Sequence, residues 1–213
     1  MKKFLLFTLV AIMFFSCKKE EKFAKFEKSV YSLHYDESVN LNLSSSEPTF
    51  MFRYYLSDTH VADVSLEGVA EAHYVGETTV VAKYNDLSAQ CNVVVEPYEK
   101  LYSLVPVLTG GMERDAVKLL EKAVGRDTLP SSMDALILTP IESDLGLEKL
   151  YYSFEDGQLQ TLTAFLKSDV TESQVDKFMK ERYPYEAGIG YTDFRSESDV
   201  AFNKEENKIV YTW

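Results

Sequence analysis

The chain has only two cysteines, Cys17 and Cys91, and only three histidines, His34, His60 and His73, all before residue 98. Residues 98–213 therefore lack any Ser-His or Cys-His pair for nucleophilic catalysis and the usual nitrogen and sulfur ligands of a transition metal. Cationic residues are scarce as well. Twenty-two Lys and Arg face 34 Asp and Glu, a formal net charge of −12, which argues against a nucleic-acid partner because phosphate binding needs clustered cations that release counterions. Phe4 to Phe15 is too short for a membrane-spanning helix, which needs ~20 apolar residues.

That short run is nevertheless informative. Lys2 and Lys3 precede it and Ser16-Cys17 ends it, with Lys18-Lys19-Glu20-Glu21 following at once. A positive start, a short apolar stretch and a small residue before a cysteine mark a cleaved export signal. The pattern resembles a bacterial lipoprotein signal, although Phe14 stands where Leu is common. The resemblance implies that residues 1–17 form the signal peptide, that cleavage leaves Cys17 first, and that acyl chains are added there. An ordinary secretory signal cut nearby is the competing reading. Loss of Lys2 and Lys3 would take the formal charge to −14. An acidic body keeps its distance from an anionic membrane, so the lipid would supply the attachment.

With Cys17 acylated, Cys91 is alone and no internal disulfide forms. Stability must then come from core burial, for which 46% hydrophobic residues suffice. Cys91 shares a strand face with Val93 and Val95, and so reads as a small buried apolar group rather than a reactive thiol. Residues 18–28 alternate Lys and Glu with a few Phe and read as a tether. Acidic residues soon after the cysteine resemble the surface-export signals of Bacteroidota lipoproteins, which implies display on the outer face of the outer membrane.

Residues 29–97 are short runs of period 2 separated by polar turns, the pattern of an all-β sandwich. Val39, Leu41 and Leu43 alternate with polar residues, as do Phe50, Phe52 and Tyr54. Thr78 to Tyr84 and Ala89 to Val95 flank Asn85-Asp86, a pair able to take the positive φ of a tight hairpin. From Ser57 to Val95 the order Ser57-Asp58-Thr59-His60-Val61-Ala62-Asp63-Val64, then Gly68-Val69-Ala70, then Val75-Gly76-Glu77-Thr78-Thr79-Val80 resembles the bacterial immunoglobulin-like group 2 (BIG2) family. That family implies a small Ig-like antiparallel sandwich, found repeated in adhesins, with no catalytic residues. Asp36-Glu37-Ser38 and Tyr54-Tyr55 depart from its usual Gly turn and Trp. The three histidines fall on different strands or loops without ligand spacing, so no metal or cofactor is expected.

After Pro97 the period becomes helical and residues 98–213 read as an α+β domain. Glu113 to Val124 places Ala116, Leu119, Leu120 and Ala123 on one helix face, with Gly125 as the stop. Ala135 to Leu138 is a candidate strand, and Leu150 to Glu155 turns at Asp156-Gly157 into Leu159 to Leu166. Thr171-Glu172-Ser173-Gln174 is a capping box opening a second helix that must end before Pro184. Tyr191 to Arg195, Asp199 to Asn203 and Lys208 to Trp213 read as strands. Each half thus runs helix, connection, hairpin, which predicts one antiparallel sheet with two helices on one face, either a duplicated helix-hairpin unit or two convergent copies of a simple pattern. Gly111-Met112 opening a helix, with the aromatic hairpin turning at Asp156-Gly157, resembles over short pieces the small outer-membrane lipoproteins of the BamE type and the β-lactamase-inhibitor fold. This resemblance implies no functional residues.

The carboxylates Glu142, Asp144, Glu155, Asp156, Glu197 and Asp199 are the material available for acid-base work of glycosidase type. In so acidic a chain they read as solvated turn charges. Tyr151, Tyr185 and Trp213 are the candidate ligand-binding residues, rings that would stack on a sugar or anchor a protein. Tyr152, Phe154, Ile209 and Tyr211 are expected in the core. The expected function is a non-enzymatic, lipid-anchored envelope module, an Ig-like stalk presenting an α+β recognition domain to a protein or glycan. A carboxylate enzyme in 98–213 and an accessory subunit of an outer-membrane complex are the alternatives.

Overall fold

The computed structural model describes residues 22–104 and 108–213; the signal segment and Cys17 lie outside them. The described residues are mostly β-strand in antiparallel sheets, with two α-helices. No helix among the described residues is long and apolar enough to cross a membrane.

The first half contains β1 (Ala24–Lys25), β2 (Val30–His34), β3 (Ser38–Asn40), β4 (Ser44–Ser45), β5 (Arg53–Leu56), β6 (Ala62–Val64), β7 (Val69–Ala72), β8 (Gly76–Tyr84) and β9 (Leu87–Glu96). A four-stranded sheet β2-β9-β8-β5 and a three-stranded sheet β3-β7-β6 close over one core. Tyr31, Leu33, Val80, Cys91 and Val93 come from the first, and Ala62, Ala70 and Ala72 from the second. All pairings are antiparallel except β2 with β9, which run parallel. The alternation of Thr78 to Tyr84 and Ala89 to Val95 appears as the long β8–β9 hairpin, with Asn85 at φ 49° in its turn. A 3-10 turn, Thr49–Met51, precedes β5.

Part of the expected tether belongs to this fold. Ala24 and Lys25 pair with Ser45 and Ser44, and Phe26 is buried in the first core. The Phe residues scattered among Lys and Glu at 23–26 are the reason, since one of them has a core to enter.

The second half contains α1 (Arg114–Ala123), β10 (Thr128–Leu129), β11 (Ala135–Leu138), β12 (Leu147–Glu155), β13 (Gln158–Leu166), α2 (Glu172–Lys180), β14 (Tyr185–Glu186), β15 (Gly190–Asp193), β16 (Ser198–Asn203) and β17 (Lys208–Thr212). The strands form one eight-stranded sheet in the order β10-β11-β12-β13-β17-β16-β15-β14. Val117 of α1 and Val175, Phe178 and Met179 of α2 pack with Leu136, Leu150, Tyr152, Leu162, Ile209 and Tyr211 in a single core. Both helices therefore cover the same face. Each outer edge is a strand of only two residues, which limits the length of unpaired backbone offered to another chain.

Local signals explain the elements. Asp156 at φ 50° and Gly157 at φ 77° turn the β12–β13 hairpin. Thr171 and Gln174 cap α2 reciprocally, with Gln174 N–H donating to Thr171 Oγ1 at 3.3 Å and Thr171 N–H to Gln174 Oε1 at 3.0 Å. Gly125, at φ 96°, ends α1. The buried face of α1, however, is not the expected one. Val117 and Glu121 are fully buried, while Leu119 is 70% exposed. The helix is turned so that a carboxylate, rather than a leucine, reaches the centre of the domain.

The two cores change over between Val95 and Leu101. Across that change Val75 N–H donates to Glu181 O at 2.8 Å, and Arg195 Nη2 donates to Val75 O at 2.6 Å. The Tyr98 ring has His34 packed tilted against it at 4.5 Å and Lys177 Nζ over it at 4.6 Å. His60 meets Phe194 at 4.7 Å. Backbone, cation and ring contacts thus join the halves at several points.

Candidate functional site

The three candidate rings stand apart. Directly paired residues of an antiparallel sheet share a face, and Tyr151 pairs with Thr163 while Tyr185 belongs to the line Tyr185–Tyr191–Val200–Tyr211. Tyr211 is in the core, so Tyr185 lies on the helix side and Tyr151 on the open side. Tyr185 is 66% exposed at the sheet edge, edge-on to Tyr191 at 5.1 Å. Trp213 is half-buried against the second core and donates Nε1–H to Ser196 O at 2.5 Å. A Cβ on Gly110 would sit 2.4 Å from the Trp213 Cβ, so the ring is wedged in place by a glycine. Of the three, only Tyr151 faces outward from the middle of the sheet.

Around Tyr151 the register builds a surface. Leu129, Ile137, Tyr151, Thr163, Val210 and Ala201 are paired in turn across six strands, a line of about 24 Å at ~4.8 Å per strand. Beside it run Lys149, Phe165, Lys208 and Asn203, also paired in turn. Phe165 is clasped by two cations, Lys149 Nζ at 4.7 Å and Lys208 Nζ at 5.8 Å from its centroid. On the other side run Ser153, Thr161, Thr212, Asp199 and Thr192, with Ser153 Oγ and Thr161 Oγ1 hydrogen-bonded at 2.7 Å. An apolar line between a cationic row and a hydroxyl row can bind by area and hydrogen bonding.

The carboxylates of this half do not converge. Glu142, Glu155, Asp156 and Glu197 are exposed, the last two at positive φ in turns. Asp199 sits in the hydroxyl row, between Thr212 and Thr192. Asp144 is the exception, since it is buried and belongs to a cluster that the sequence reading did not assemble. Arg126 lies between Glu121 and Asp144, donating to Glu121 Oε2 at 2.6 Å and to both Asp144 oxygens. Tyr152 donates its hydroxyl to Glu121, and Arg126 Nη2 also reaches Ser103 O at 2.6 Å. Asp144 further accepts from the backbone of Ser103 and Ile141. Burial by itself would push the Arg126 pKa down; the hydrogen bonds and charges of Glu121 and Asp144 outweigh it and raise it. The cluster ties helix, sheet and two loops together where no substrate can reach. Its sequence signal was a Glu on the wrong face of an otherwise amphipathic helix.

A second polar chain links Tyr102, Tyr211 and Tyr183, whose hydroxyls lie 2.7 and 2.8 Å apart in turn. Burial holds all three phenols above their ordinary pKa. Tyr102 and Tyr183 border a cavity of about 470 Å³ between the halves that Lys100, Arg182, Arg195 and Trp213 also line. Arg182 donates to Phe178 O and Glu99 O and lies 3.9 Å over the Phe178 ring.

In the first half, burial pushes the Cys91 thiol up to about 11, as expected of a core group rather than a nucleophile. The histidines stay separate, His60 beside Asp58 at 3.3 Å and His73 beside Asp63 at 3.4 Å. Among the described residues no three His, Cys, Asp or Glu gather as a metal site.

No family model and no curated protein matches the chain. Among solved structures it is similar to domains 4–9 of surface layer protein SbsC, at 10% identity and TM-score 0.30, over 89% of this chain and 26% of that one. It is also similar to domains 1–6 of that protein, at 11% identity and TM-score 0.28, over 91% of this chain and 36% of that one. The chain spans about a third or less of those structures, and likenesses this low carry no argument about fold or role.

Proposed function

We propose that this protein is a lipid-anchored envelope protein that recognises a partner without transforming it. Cys17 carries the acyl anchor of a bacterial lipoprotein on the outer membrane. An Ig-like domain of the BIG2 type acts as a stalk, and the second domain binds a protein or a glycan at the cell surface. The observation that carries the recognition role is the open sheet face centred on Tyr151. A line of mostly apolar side chains crosses six strands on the side that neither helix covers, with Leu129 exposed at one end, Ile137, Tyr151 and Val210 half-exposed along it and Thr163 buried between them, and apolar surface of this kind marks binding sites. The dispersal of the exposed carboxylates and the burial of Asp144 favour binding over catalysis by the second domain.

The second domain also reads as a duplicated unit. Its strand order is symmetric about the β13–β17 pair, and each half runs helix, two short strands, hairpin. A two-fold relation between tandem copies is the simplest origin of such an order.

The test is a comparison of detergent extracts captured on the full chain and on its Tyr151→Ala and Phe165→Ala variants. A partner held by the sheet face is retained by the full chain and loses about tenfold or more in affinity on each variant. Equal capture by all three overturns the assignment of the face. Intact-mass measurement of the purified protein, showing acyl chains on Cys17 or their absence, tests the anchor separately.

A further inference from the structure

The first domain has two distinct ends. At one, Val75 and the end of β9 meet the second domain. At the other lie the Asn85-Asp86 turn, the 3-10 turn Thr49–Met51 and the first described residues. Phe23 O accepts from Ser45 Oγ at 2.9 Å and from Ser46 N at 3.0 Å, and Lys22 pairs with Glu47 at 2.9 Å. Phe52, just after the 3-10 turn, packs tilted against Tyr84 at the hairpin tip, ring centroids 5.7 Å apart, and Arg53 pairs with Lys83. The hydrogen bond and charge of Glu47 raise the Lys22 pKa, with Tyr84 and Asp86 near enough to add to it. The ten residues of β9 separate the two ends by about 30 Å.

The far end exposes apolar side chains that the domain has no internal use for. Phe50 is 72% exposed, Phe23 46% and Met51 38%, and the 3-10 turn buries no residue of its own. Four residues lie between Cys17 and Lys22, five steps along the chain, so this end lies at most about 18 Å of extended chain from the acylated position. Arg53 and Lys83, both exposed beside it, offer cations to phosphate headgroups, although the chain as a whole is acidic.

We propose that Phe23, Phe50 and Met51 rest in the interfacial layer of the bilayer that carries the anchor, so that the first domain stands on the membrane by this end. The inference rests on the lipid-anchor reading and deepens it. Acyl chains on a short tether fix position but not orientation, whereas apolar side chains on a rigid tip fix both. The second domain is then held about 30 Å above the surface with its open face clear of the lipid.

The experiment uses the protein as purified from its host membrane and reconstituted into phosphatidylcholine vesicles whose acyl chains are dibrominated, a contact quencher of tryptophan. The unaltered chain, with Trp213 alone, sets the baseline. The emission added by Phe50→Trp, and separately by Phe23→Trp, is expected to fall about twofold relative to unbrominated vesicles, because interfacial side chains reach the acyl boundary. The emission added by Met133→Trp, at an exposed site of the second domain, should not change. Intact mass of the same preparation reports acylation of Cys17, so a failed anchor and a failed contact are told apart. Absence of added quenching in both Phe50→Trp and Phe23→Trp on protein whose Cys17 is acylated overturns the contact; an unacylated Cys17 overturns the anchor and the contact that rests on it.

Discussion

The two halves solve the same problem with different materials. The first core is almost wholly apolar, built from Val, Ala, Leu and Cys91 around Tyr31 and Phe52, and Thr78 is the buried polar residue among its strands. The second encloses Glu121, Arg126 and Asp144 and a chain of three tyrosine hydroxyls. Close sheet-on-sheet packing needs only small or branched side chains. Two helices and two long loops laid on one sheet must also be held in place, and directional polar contacts do that where apolar packing tolerates sliding. The contrast teaches that apolar area and polar geometry are separate sources of order, and each predicts its own failure.

The largest expected effect is in the second half. Arg126→Ala leaves two carboxylates buried without a counter-charge and should destabilise that half by about 3–5 kcal/mol, read as an early, separate transition in denaturant unfolding. Replacing Glu121, Arg126 and Asp144 together by Leu, Met and Leu should cost far less than the single change, because no charge is then stranded. A triple variant as unstable as the single one would remove the ion cluster from the comparison. In the first half Leu41→Ala, at a fully buried site, should cost about 3 kcal/mol through the cavity it leaves, with the second transition unmoved.

Tyr211→Phe is expected to cost about 1–3 kcal/mol, since it strands the hydroxyls of Tyr102 and Tyr183 together. Alkali should loosen both halves. Cys91 is held up to about 11 by burial and the buried phenols are raised as well, so the unfolded chain loses these protons first. Stability from these groups is intact below pH ~9 and is lost as pH climbs toward 11, at about 1.4 kcal/mol per pH unit for Cys91 alone. A midpoint unchanged between pH 8 and 10.5 would contradict this. The smallest effect is Thr171→Ala, about 1 kcal/mol through loss of the α2 cap, measurable as a small shift of the second transition.

Local chemistry was legible without the fold. Asn85-Asp86 and Asp156-Gly157 announced their turns, Thr171 and Gln174 their cap, and Gly125 its stop, because each acts over four residues or fewer. Period-2 alternation placed Cys91, Val93, Tyr152, Phe154, Ile209 and Tyr211 inward. The buried face of α1 was misread for the same reason that the rest succeeded. Periodicity assumes that charge points outward, and Glu121 points inward because Arg126 and Tyr152 wait for it there.

From residue order alone came the change of grammar near Pro97, the two helices, the hairpins and an acidic chain poor in catalytic side chains, since these depend on composition and short-range pattern. Only the tertiary structure could put Leu129, Ile137, Tyr151, Thr163 and Val210 on one line, separate Tyr151 from Tyr185 and Trp213, and gather Glu121, Arg126 and Asp144. Those arrangements follow from strand order and register, which are set by which strands pair across tens of residues, and no local window of sequence contains that choice.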